Sequence, residues 1–217
     1  GDNFCSICVV PYTRGRDRSR DPEGILAEAR EAARLGYKQI TLLGQNVNSY
    51  KFDQSDFAQL ISAVADTPGI ERVRFTSPHP KDFPRPLLRA IATHPKICKH
   101  IHLPLQSGSD RILELMGRSY TAAEYLALVQ QIKEMIPHIV LTSDIICGFC
   151  SETEQDFEAT YRLVEQARFH SSYAFSYSER KNTIAARKYP DDVPEEVKGM
   201  RVKRLVDLQR EIGAGRN

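Results

Sequence analysis

The feature that most constrains this 217-residue chain is a repeated order of short apolar segments, each followed by a helical segment. Five apolar segments are predicted to be strands, at residues 38–43, 70–75, 99–103, 139–146 and 169–177. Amphipathic segments with helical spacing lie between or after them, at 21–35, 57–65, 86–93, 111–116, 122–135, 154–167 and 193–212. Strand–helix repeats favour parallel pairing with crossover connections, so this order predicts an α/β barrel or an open α/β sheet.

Composition excludes several classes of protein. The chain has 30 cationic and 28 anionic side chains, so it lacks an overall basic field and any binding of nucleic acid must use local patches. No run of 18 apolar residues exists, which excludes a membrane-spanning helix. Five cysteines are an odd number without the spacing of a disulfide framework, and this favours a reducing cytoplasm. We expect one cytoplasmic α/β domain without a membrane partner.

Two cysteines near the start of the chain, Cys5 and Cys8, stand three positions apart. Thiolates are soft ligands that suit zinc or iron–sulfur clusters, and this spacing lets both sulfurs bind one metal centre. Four arginines follow at alternate positions: Arg14, Arg16, Arg18 and Arg20. Guanidinium groups are permanent cations that suit phosphate or carboxylate. The segment therefore predicts a metal site beside an anion site.

The same segment resembles the cluster loop of the radical S-adenosylmethionine (SAM) enzymes, and the phrase 10–16 resembles their tRNA-modifying methylthiotransferases. In that superfamily three cysteines spaced Cys-x-x-x-Cys-x-x-Cys bind a 4Fe–4S cluster, with an apolar residue before the last. Cys5, Ile7 and Cys8 match the second cysteine, the apolar position and the third cysteine. Gly1 stands where the first cysteine is expected. Either the chain is truncated or altered at its start, or one cluster ligand is missing.

The resemblance implies an incomplete, TIM-like β/α barrel of six strands, with the cluster loop after the first strand. That first strand would precede Gly1 and is missing from this chain. Residues 1–217 then correspond to a radical SAM core domain. An amino-terminal domain with a second 4Fe–4S cluster and a carboxyl-terminal RNA-binding domain are expected in the family and absent here.

Candidate SAM contacts lie in the polar loops that follow the strands, where ligands of such folds bind. By resemblance, Gln106 and Arg118 approach the methionine part of SAM, Asp144 lies near the ribose, and Ile7 packs beside the adenine. Other residues end further strands on the same rim: Gln45, Asn46 and Ser77. Loop residues of these types also serve as turn formers and helix caps, and this alternative stays open for each of them.

The resemblance implies an enzyme that adds a methylthio group to C2 of an isopentenyl-modified adenosine next to the tRNA anticodon. Its cofactors are the 4Fe–4S cluster and SAM, and its electron donor is a protein such as flavodoxin or ferredoxin. Arg14 and Arg16 are expected to contact the tRNA anticodon stem-loop. The chain alone, without the domain that holds the second cluster, is expected to be inactive in methylthiolation.

Alternative functions remain. The substrate could instead be a threonylcarbamoyl-modified adenosine of tRNA or an aspartate of a ribosomal protein, although the loop 44–50 favours the branch that acts on tRNA. If Gly1 is native, the chain could also be a catalytically silent α/β module that binds RNA or a protein.

Three further groups of residues are interpreted as structural. The second Cys-x-x-Cys pair, Cys147 and Cys150, lies too far along the chain from the first for zinc-ribbon spacing. His100 and His102 alternate on a predicted strand without a nearby carboxylate or thiol in the sequence. The cations of the last helix are predicted to form an exposed face: Lys198, Arg201, Lys203 and Arg204.

Overall fold

The computed structural model describes residues 5–8, 18–76 and 78–215. Their backbone contacts divide the chain into two compact units. The first unit comprises Gly1–Arg16, Leu103–Gln130 and Leu141–Asn217, and the second comprises Asp17–His102 and Gln131–Val140. None of the helices in the described ranges is both long enough and apolar enough to cross a membrane.

The second unit is built around a parallel pair of strands. Its elements are α1 (Pro22–Arg34), β1 (Gln39–Leu42), a 3₁₀ turn (Val47–Ser49), β2 (Lys51–Phe52), β3 (Ser55–Asp56), α2 (Phe57–Asp66), β4 (Arg72–Phe75), α3 (Arg85–Thr93) and β5 (His100–His102). Strands β1 and β4 pair in parallel with Ile40 beside Val73. The hairpin β2–β3 was not predicted, because strands of two residues carry no readable periodicity.

Helix α2 shows how the sequence fixes a boundary in this unit. Asp56 accepts a hydrogen bond from the backbone N–H of Gln59, and the Gln59 side chain accepts one from the backbone N–H of Asp56. This capping box satisfies two amides that the first helical turn leaves free. Phe57, Ile61 and Val64 then form a buried apolar face of the helix. The predicted helix 57–65 is confirmed to within one residue.

The first unit carries the longer strands. Its elements are α4 (Asp110–Leu115), most of α5 (Ala122–Met135) and of β6 (Val140–Cys147), α6 (Glu154–Ala167), β7 (Ser171–Ser176), α7 (Ile184–Lys188) and α8 (Glu195–Ala214). Strands β6 and β7 pair in parallel, with Asp144 beside Tyr173 and Ile146 beside Phe175. Parallel pairing brings the carboxyl ends of both strands to one edge, where loop residues can meet.

A compact apolar cluster lies next to that edge. Its buried members are Ile112, Met116, Phe149, Cys150, Tyr177 and Ala185. Phe149 and Tyr177 pack edge to face with ring centroids 5.0 Å apart. Ile7 packs against the same cluster. The apolar residue of the Cys-x-x-Cys segment is therefore attached to the core of the first unit.

Candidate functional site

The Cys5–Cys8 segment is fixed to the first unit through Ser6. The Ser6 N–H donates to the carbonyl oxygen of Met116 and its Oγ donates to that of Leu115, both at 2.7 Å. The carbonyl oxygen of Ser6 accepts from the N–H of Ala185 at 2.8 Å. Only 5% of the Ser6 surface is exposed, so these bonds are shielded from water. The segment is thereby held between the end of α4 and the start of α7.

The two cysteines of this segment are linked by a backbone turn. The N–H of Cys8 donates to the carbonyl oxygen of Cys5 at 3.1 Å, which closes a turn and brings their Cα atoms within about 7 Å. Arg118 Nη1 lies 3.3 Å from Cys5 Sγ in a hydrogen bond.

Tyr120 positions Arg118, and the sequence analysis missed this role. Arg118 Nε donates to Tyr120 Oη at 2.9 Å, and the Tyr120 hydroxyl donates to the carbonyl oxygen of Leu105 at 3.0 Å. Burial raises the pKa of Tyr120, so its hydroxyl stays protonated and remains a donor. The loop after residue 103 is thus connected through Tyr120 and Arg118 to Cys5.

A cavity of about 370 Å³ opens at the carboxyl ends of β6 and β7. Ile7, Gln106 and Asp144 line it, together with Ile146, Phe175, Ser176, Tyr177, Ser178, Arg180 and Thr183. Three residues that the sequence analysis selected separately therefore share one cavity. Its volume lies in the range of pockets that hold small organic ligands.

Gln106 combines two costly features at this cavity. Its backbone has φ of 68°, a left-handed conformation that glutamine seldom adopts. Its N–H donates to the carbonyl oxygen of Asp144 and its carbonyl oxygen accepts from the N–H of Ile146, both at 2.9 Å. Its side-chain Oε1 is buried and has no hydrogen-bond partner in the described chain. An unpaired buried acceptor of this kind costs about 1–3 kcal/mol, which a ligand donor would recover.

The loop that carries Gln106 rests on helix α6. A Cβ at Gly108 would lie 2.6 Å from Thr160 Cα, so only glycine permits this close approach. Ser109 Oγ donates to Asp156 Oδ1 at 2.6 Å, and Arg111 forms an ion pair with the same carboxylate. Burial opposes ionisation of Asp156, but hydrogen bonds from Arg111, Ser109 and Thr153 hold its pKa below the usual range.

Two buried cations of α8 hold the neighbouring strand ends. Arg201 Nη1 donates to Glu152 Oε2 at 2.8 Å, and both side chains are almost fully buried. Lys198 Nζ donates to the carbonyl oxygen of Tyr177 at 3.2 Å and to Asp191 Oδ1 at 2.8 Å. The predicted exposed face is therefore wrong for Lys198 and Arg201, which are 1% and 5% exposed.

The spacing of α8 carried a signal for this correction. Five of its residues are buried at helical intervals: Lys198, Arg201, Leu205, Leu208 and Ile212. The two cations continue the apolar stripe toward the start of the helix, and this position predicts burial. The charge of Lys198 and Arg201 suggested that they are exposed, but their position in the apolar stripe determined that they are buried.

The candidates of the second unit have different surroundings. Asn46 Nδ2 donates to Asp82 Oδ2 at 2.7 Å, and Asn46 Oδ1 is buried without a partner in the described chain. Gln45 is exposed. The neighbouring Asn48, not singled out from the sequence, donates to the carbonyl oxygens of His79 and Asp82 and accepts from the N–H of His79. This network holds the second unit's loops together.

Other predicted site residues lie outside the described residues, namely Ser77, Arg14 and Arg16. Within the described ranges, no group of three or more histidines, cysteines and carboxylates could hold a metal ion. Each of the five cysteines is a free thiol. Burial raises the pKa of Cys147 to about 12, which makes it a poor metal ligand or nucleophile.

Comparison with solved structures identifies the fold. Coproporphyrinogen III oxidase from Escherichia coli, described as a radical SAM enzyme, matches with a TM-score of 0.67 and 15% identity over 97% of this chain and 50% of that chain. The radical SAM methyltransferase of Kitasatospora setae matches with a TM-score of 0.68 and 16% identity over 84% of this chain and 34% of that chain. The predicted fold class, a partial β/α barrel of the radical SAM type, is confirmed.

Comparison of sequences identifies relatives. The chain is 50% identical over 220 residues to the tRNA-2-methylthio-N(6)-dimethylallyladenosine synthase of Porphyromonas gingivalis, covering 100% of this chain and 48% of the relative. It is 54% identical over 214 residues to the synthase of the same name from Acetivibrio thermocellus, covering 97% of this chain and 44% of the relative. The chain thus spans about half the length of these curated relatives. The family model of the radical SAM superfamily matches residues 2–164, more than half of the sequence, and the chain therefore belongs to that superfamily.

Proposed function

We propose that this chain is the core of a methylthiotransferase that adds a methylthio group to C2 of a dimethylallyl-modified adenosine in tRNA. Relatives of about 50% identity bear the name of that activity. The observation that carries the proposal is the cavity that joins Gln106 and Asp144 to Ile7 of the Cys5–Cys8 segment. A cofactor bound in this cavity would lie beside the segment's thiols.

Membership of the superfamily implies a 4Fe–4S cluster and SAM, and the cavity fits the second of these. SAM carries an ammonium group and ribose hydroxyls, which are donors for the unpaired Oε1 of Gln106 and the carboxylate of Asp144. Ile7 and Ile146 supply apolar wall for an adenine ring. Arg118 keeps its predicted role at the SAM carboxylate as a proposal, since within the described ranges only its Nε and Nη1 form hydrogen bonds, to Tyr120 and Cys5.

The cluster fits this chain in part. Cys5 and Cys8 offer two thiolates on one turn, and Arg118 donates to the first of them. Gly1 has no ligating side chain, whereas the family's loop uses three cysteines. We therefore infer that Cys5 and Cys8 bind the cluster, and that a third thiol at position 1 is needed for stable binding.

The two cofactors, when bound, supply a radical that removes hydrogen from an unreactive carbon, a step beyond side-chain acid–base chemistry. The residues of this chain would hold and orient SAM and keep water out of the cavity. Gln106 and Asp144 would fix its polar groups, while Ile7 and Ile146 provide the apolar lining. A dry, ordered cavity protects a reactive species from side reactions.

Several further contacts and partners are proposed. We propose that Arg14 and Arg16 contact the tRNA anticodon stem-loop, and that Gln45, Asn46 and Ser77 contact SAM. The complete protein would carry a second 4Fe–4S cluster, receive electrons from a flavodoxin or ferredoxin and act in the cytoplasm. The alternatives, a threonylcarbamoyl-modified adenosine, a ribosomal-protein aspartate or a silent binding module, have less support because the similar relatives are named for dimethylallyladenosine.

Anaerobic reconstitution with iron and sulfide tests the cluster assignment. The chain with Gly1→Cys is expected to develop the absorbance and, after reduction, the electron paramagnetic resonance signal of a 4Fe–4S cluster. The chain with Gly1 is expected to retain far less iron, and Cys5→Ala in the Gly1→Cys background should abolish the signal. Cys98→Ala is the matched control, because Cys98 is a half-buried cysteine of the second unit. Equal iron content in Cys5→Ala and Cys98→Ala would refute the assignment.

Nucleoside analysis tests the substrate. A deletion strain complemented with the full-length gene should regain 2-methylthio-dimethylallyladenosine in its tRNA, and the Cys8→Ala gene should not restore it. Restoration of a methylthio-threonylcarbamoyl nucleoside, or of a modified ribosomal protein, would favour the alternatives. The isolated chain is expected to give no methylthiolated product in vitro.

A further inference from the structure

Two aromatic side chains of β7, Tyr173 and Phe175, are unusually exposed. Each has 53% of its surface accessible. Other aromatic rings of the first unit are buried in edge-to-face pairs, such as Phe149–Tyr177 and Tyr125–Phe169. Two exposed rings on one strand offer flat faces on which a planar ligand can stack. We call Tyr173 and Phe175 the aromatic platform.

The platform lies on the cavity side of its strand. Ser172 Oγ donates to Gln209 Oε1 of α8 at 2.8 Å, so the Ser172 side chain faces that helix. Side chains alternate along a strand, and the odd-numbered Tyr173 and Phe175 therefore point to the opposite face. The register places them beside Asp144 and Ile146, and both of these residues line the cavity.

The surroundings of the platform are polar and cationic. Ser176, Ser178 and Arg180 follow it around the cavity. Arg180 is exposed, and its guanidinium forms no ion pair or hydrogen bond with any part of the chain that the structure describes. Flat rings beside a free cation match a nucleotide, which offers a π face for stacking and a phosphate for the guanidinium. An apolar peptide would not use the cation.

We propose that Tyr173 and Phe175 stack the target purine of the RNA substrate next to the SAM cavity, while Arg180 contacts a phosphate of the same strand. The inference rests on the proposed function and adds the residues that receive the substrate base. A base that undergoes chemistry at a ring carbon must leave the helical stack, and an aromatic platform compensates for the lost stacking. The cavity beside the platform then brings SAM close to the purine.

Fluorescence anisotropy with the full-length, reconstituted protein tests the platform. The ligand is an anticodon stem-loop RNA that carries dimethylallyladenosine at the target position. Tyr173→Ala and Phe175→Ala are each expected to weaken binding by about tenfold, the usual loss when one stacked ring is removed. Phe175→Tyr should bind like the wild type and Phe175→Leu should not. Tyr37→Ala is the matched control, because Tyr37 is a 63% exposed tyrosine of the second unit and should bind normally.

A second measurement separates stacking from folding. A stem-loop with 2-aminopurine at the target position should lose fluorescence on binding the wild-type protein, beyond the change seen with Tyr173→Ala at saturating protein. Thermal unfolding of the variant confirms that it folds. Wild-type affinity and quenching in both alanine variants would overturn the platform while leaving the proposed function intact.

Two other outcomes are also decisive. If the wild-type protein binds no stem-loop and forms no methylthiolated nucleoside, the proposed function itself fails. If sedimentation shows a dimer that Tyr173→Ala dissociates, a second copy covers the platform, and the proposal of a purine site is wrong.

Discussion

The two units hold the loops after their strands by different means. In the second unit, neutral Asn48 bonds to the backbone of His79 and Asp82. In the first unit, buried carboxylates are the centres, with Arg201 on Glu152 and hydrogen bonds from three residues on Asp156. Among the described residues, the first unit nevertheless provides no hydrogen-bond partner for the amide oxygen of Gln106 at the cavity. A polar residue at the end of a strand thus indicates a ligand site when its side chain forms no hydrogen bond that holds the loops and it lines a cavity.

Asn46 sharpens this point because its buried amide oxygen also has no hydrogen-bond partner in the part of the chain that the structure describes. Its amide nitrogen, however, is engaged by Asp82 in the loop network. A buried amide oxygen without a hydrogen-bond partner is therefore a weaker indicator of a ligand site than one that also lines a cavity. The prediction that Asn46 contacts SAM remains a prediction.

The largest loss of stability is expected when the buried ion pair between Arg201 and Glu152 in the first unit is broken. Arg201→Leu would leave the buried carboxylate of Glu152 without its partner, and such losses cost about 3–5 kcal/mol. Urea unfolding should register this decrease in the free energy of unfolding. Lys203→Leu is the control on the same helix, because its ion pair is exposed and worth little. Equal losses of stability in Arg201→Leu and Lys203→Leu would show that burial does not determine how much an ion pair of this helix contributes.

The next largest loss of stability is expected when the hydrogen bonds of Asn48 in the second unit are removed. Asn48→Ala removes three hydrogen bonds from a side chain that is 6% exposed, and we expect a loss of about 2–3 kcal/mol. Asn48→Asp keeps the acceptor for the N–H of His79 but loses both donors, so it should also be destabilised. A change below about 0.5 kcal/mol in Asn48→Ala, the range of ordinary surface substitutions, would contradict the assigned role.

Substitution of Gln106 should not lower the free energy of unfolding, in contrast to substitution of Arg201 or Asn48. Gln106→Leu removes an unpaired buried acceptor, so stability should stay the same or rise, whereas SAM affinity should fall about tenfold. Isothermal titration calorimetry of the reconstituted full-length protein measures the affinity, and urea unfolding measures the stability. Gln130→Leu, at an exposed position of the first unit, is the control. A Gln106→Leu variant that loses stability but keeps its affinity for SAM would show that Gln106 supports the fold and does not bind SAM.

The smallest effect is a dependence on pH. Because the pKa of Asp156 is lowered in the folded state, its contribution to stability is present above the unfolded-state value and is lost as the pH falls through the folded-state value. The difference in unfolding free energy between wild type and Asp156→Asn should therefore shrink below about pH 4. The same difference for Asn48→Ala should be constant, since no acid is removed. A constant difference for Asp156→Asn would contradict the lowered pKa.

The sequence predicted the fold because strands and helices leave local patterns. The five predicted strands correspond to β1, β4, β5, β6 and β7, with most boundaries within about two residues. The resemblance selected Ile7, Gln106 and Asp144, and the cavity contains all three. The short helix Ile184–Lys188 was missed because five residues carry too little periodicity.

The remaining features depend on contacts between residues far apart in the chain. Ser6 is fixed by carbonyl oxygens of residues more than a hundred positions away, and Tyr120 acts through Arg118 on Cys5. No local pattern marks such partners. Burial of Lys198 and Arg201 was different, because the apolar stripe of their helix indicated it and the charge of the residues concealed it.

We propose that SAM binds in the cavity at the ends of β6 and β7. Hydrogen–deuterium exchange of the full-length, reconstituted protein, with SAM at saturating concentration, measures this binding at the level of single peptides. We expect slower exchange in peptides that cover 104–108, 144–147 and 175–180. Unchanged exchange in all three peptides, while calorimetry shows SAM bound, would contradict it.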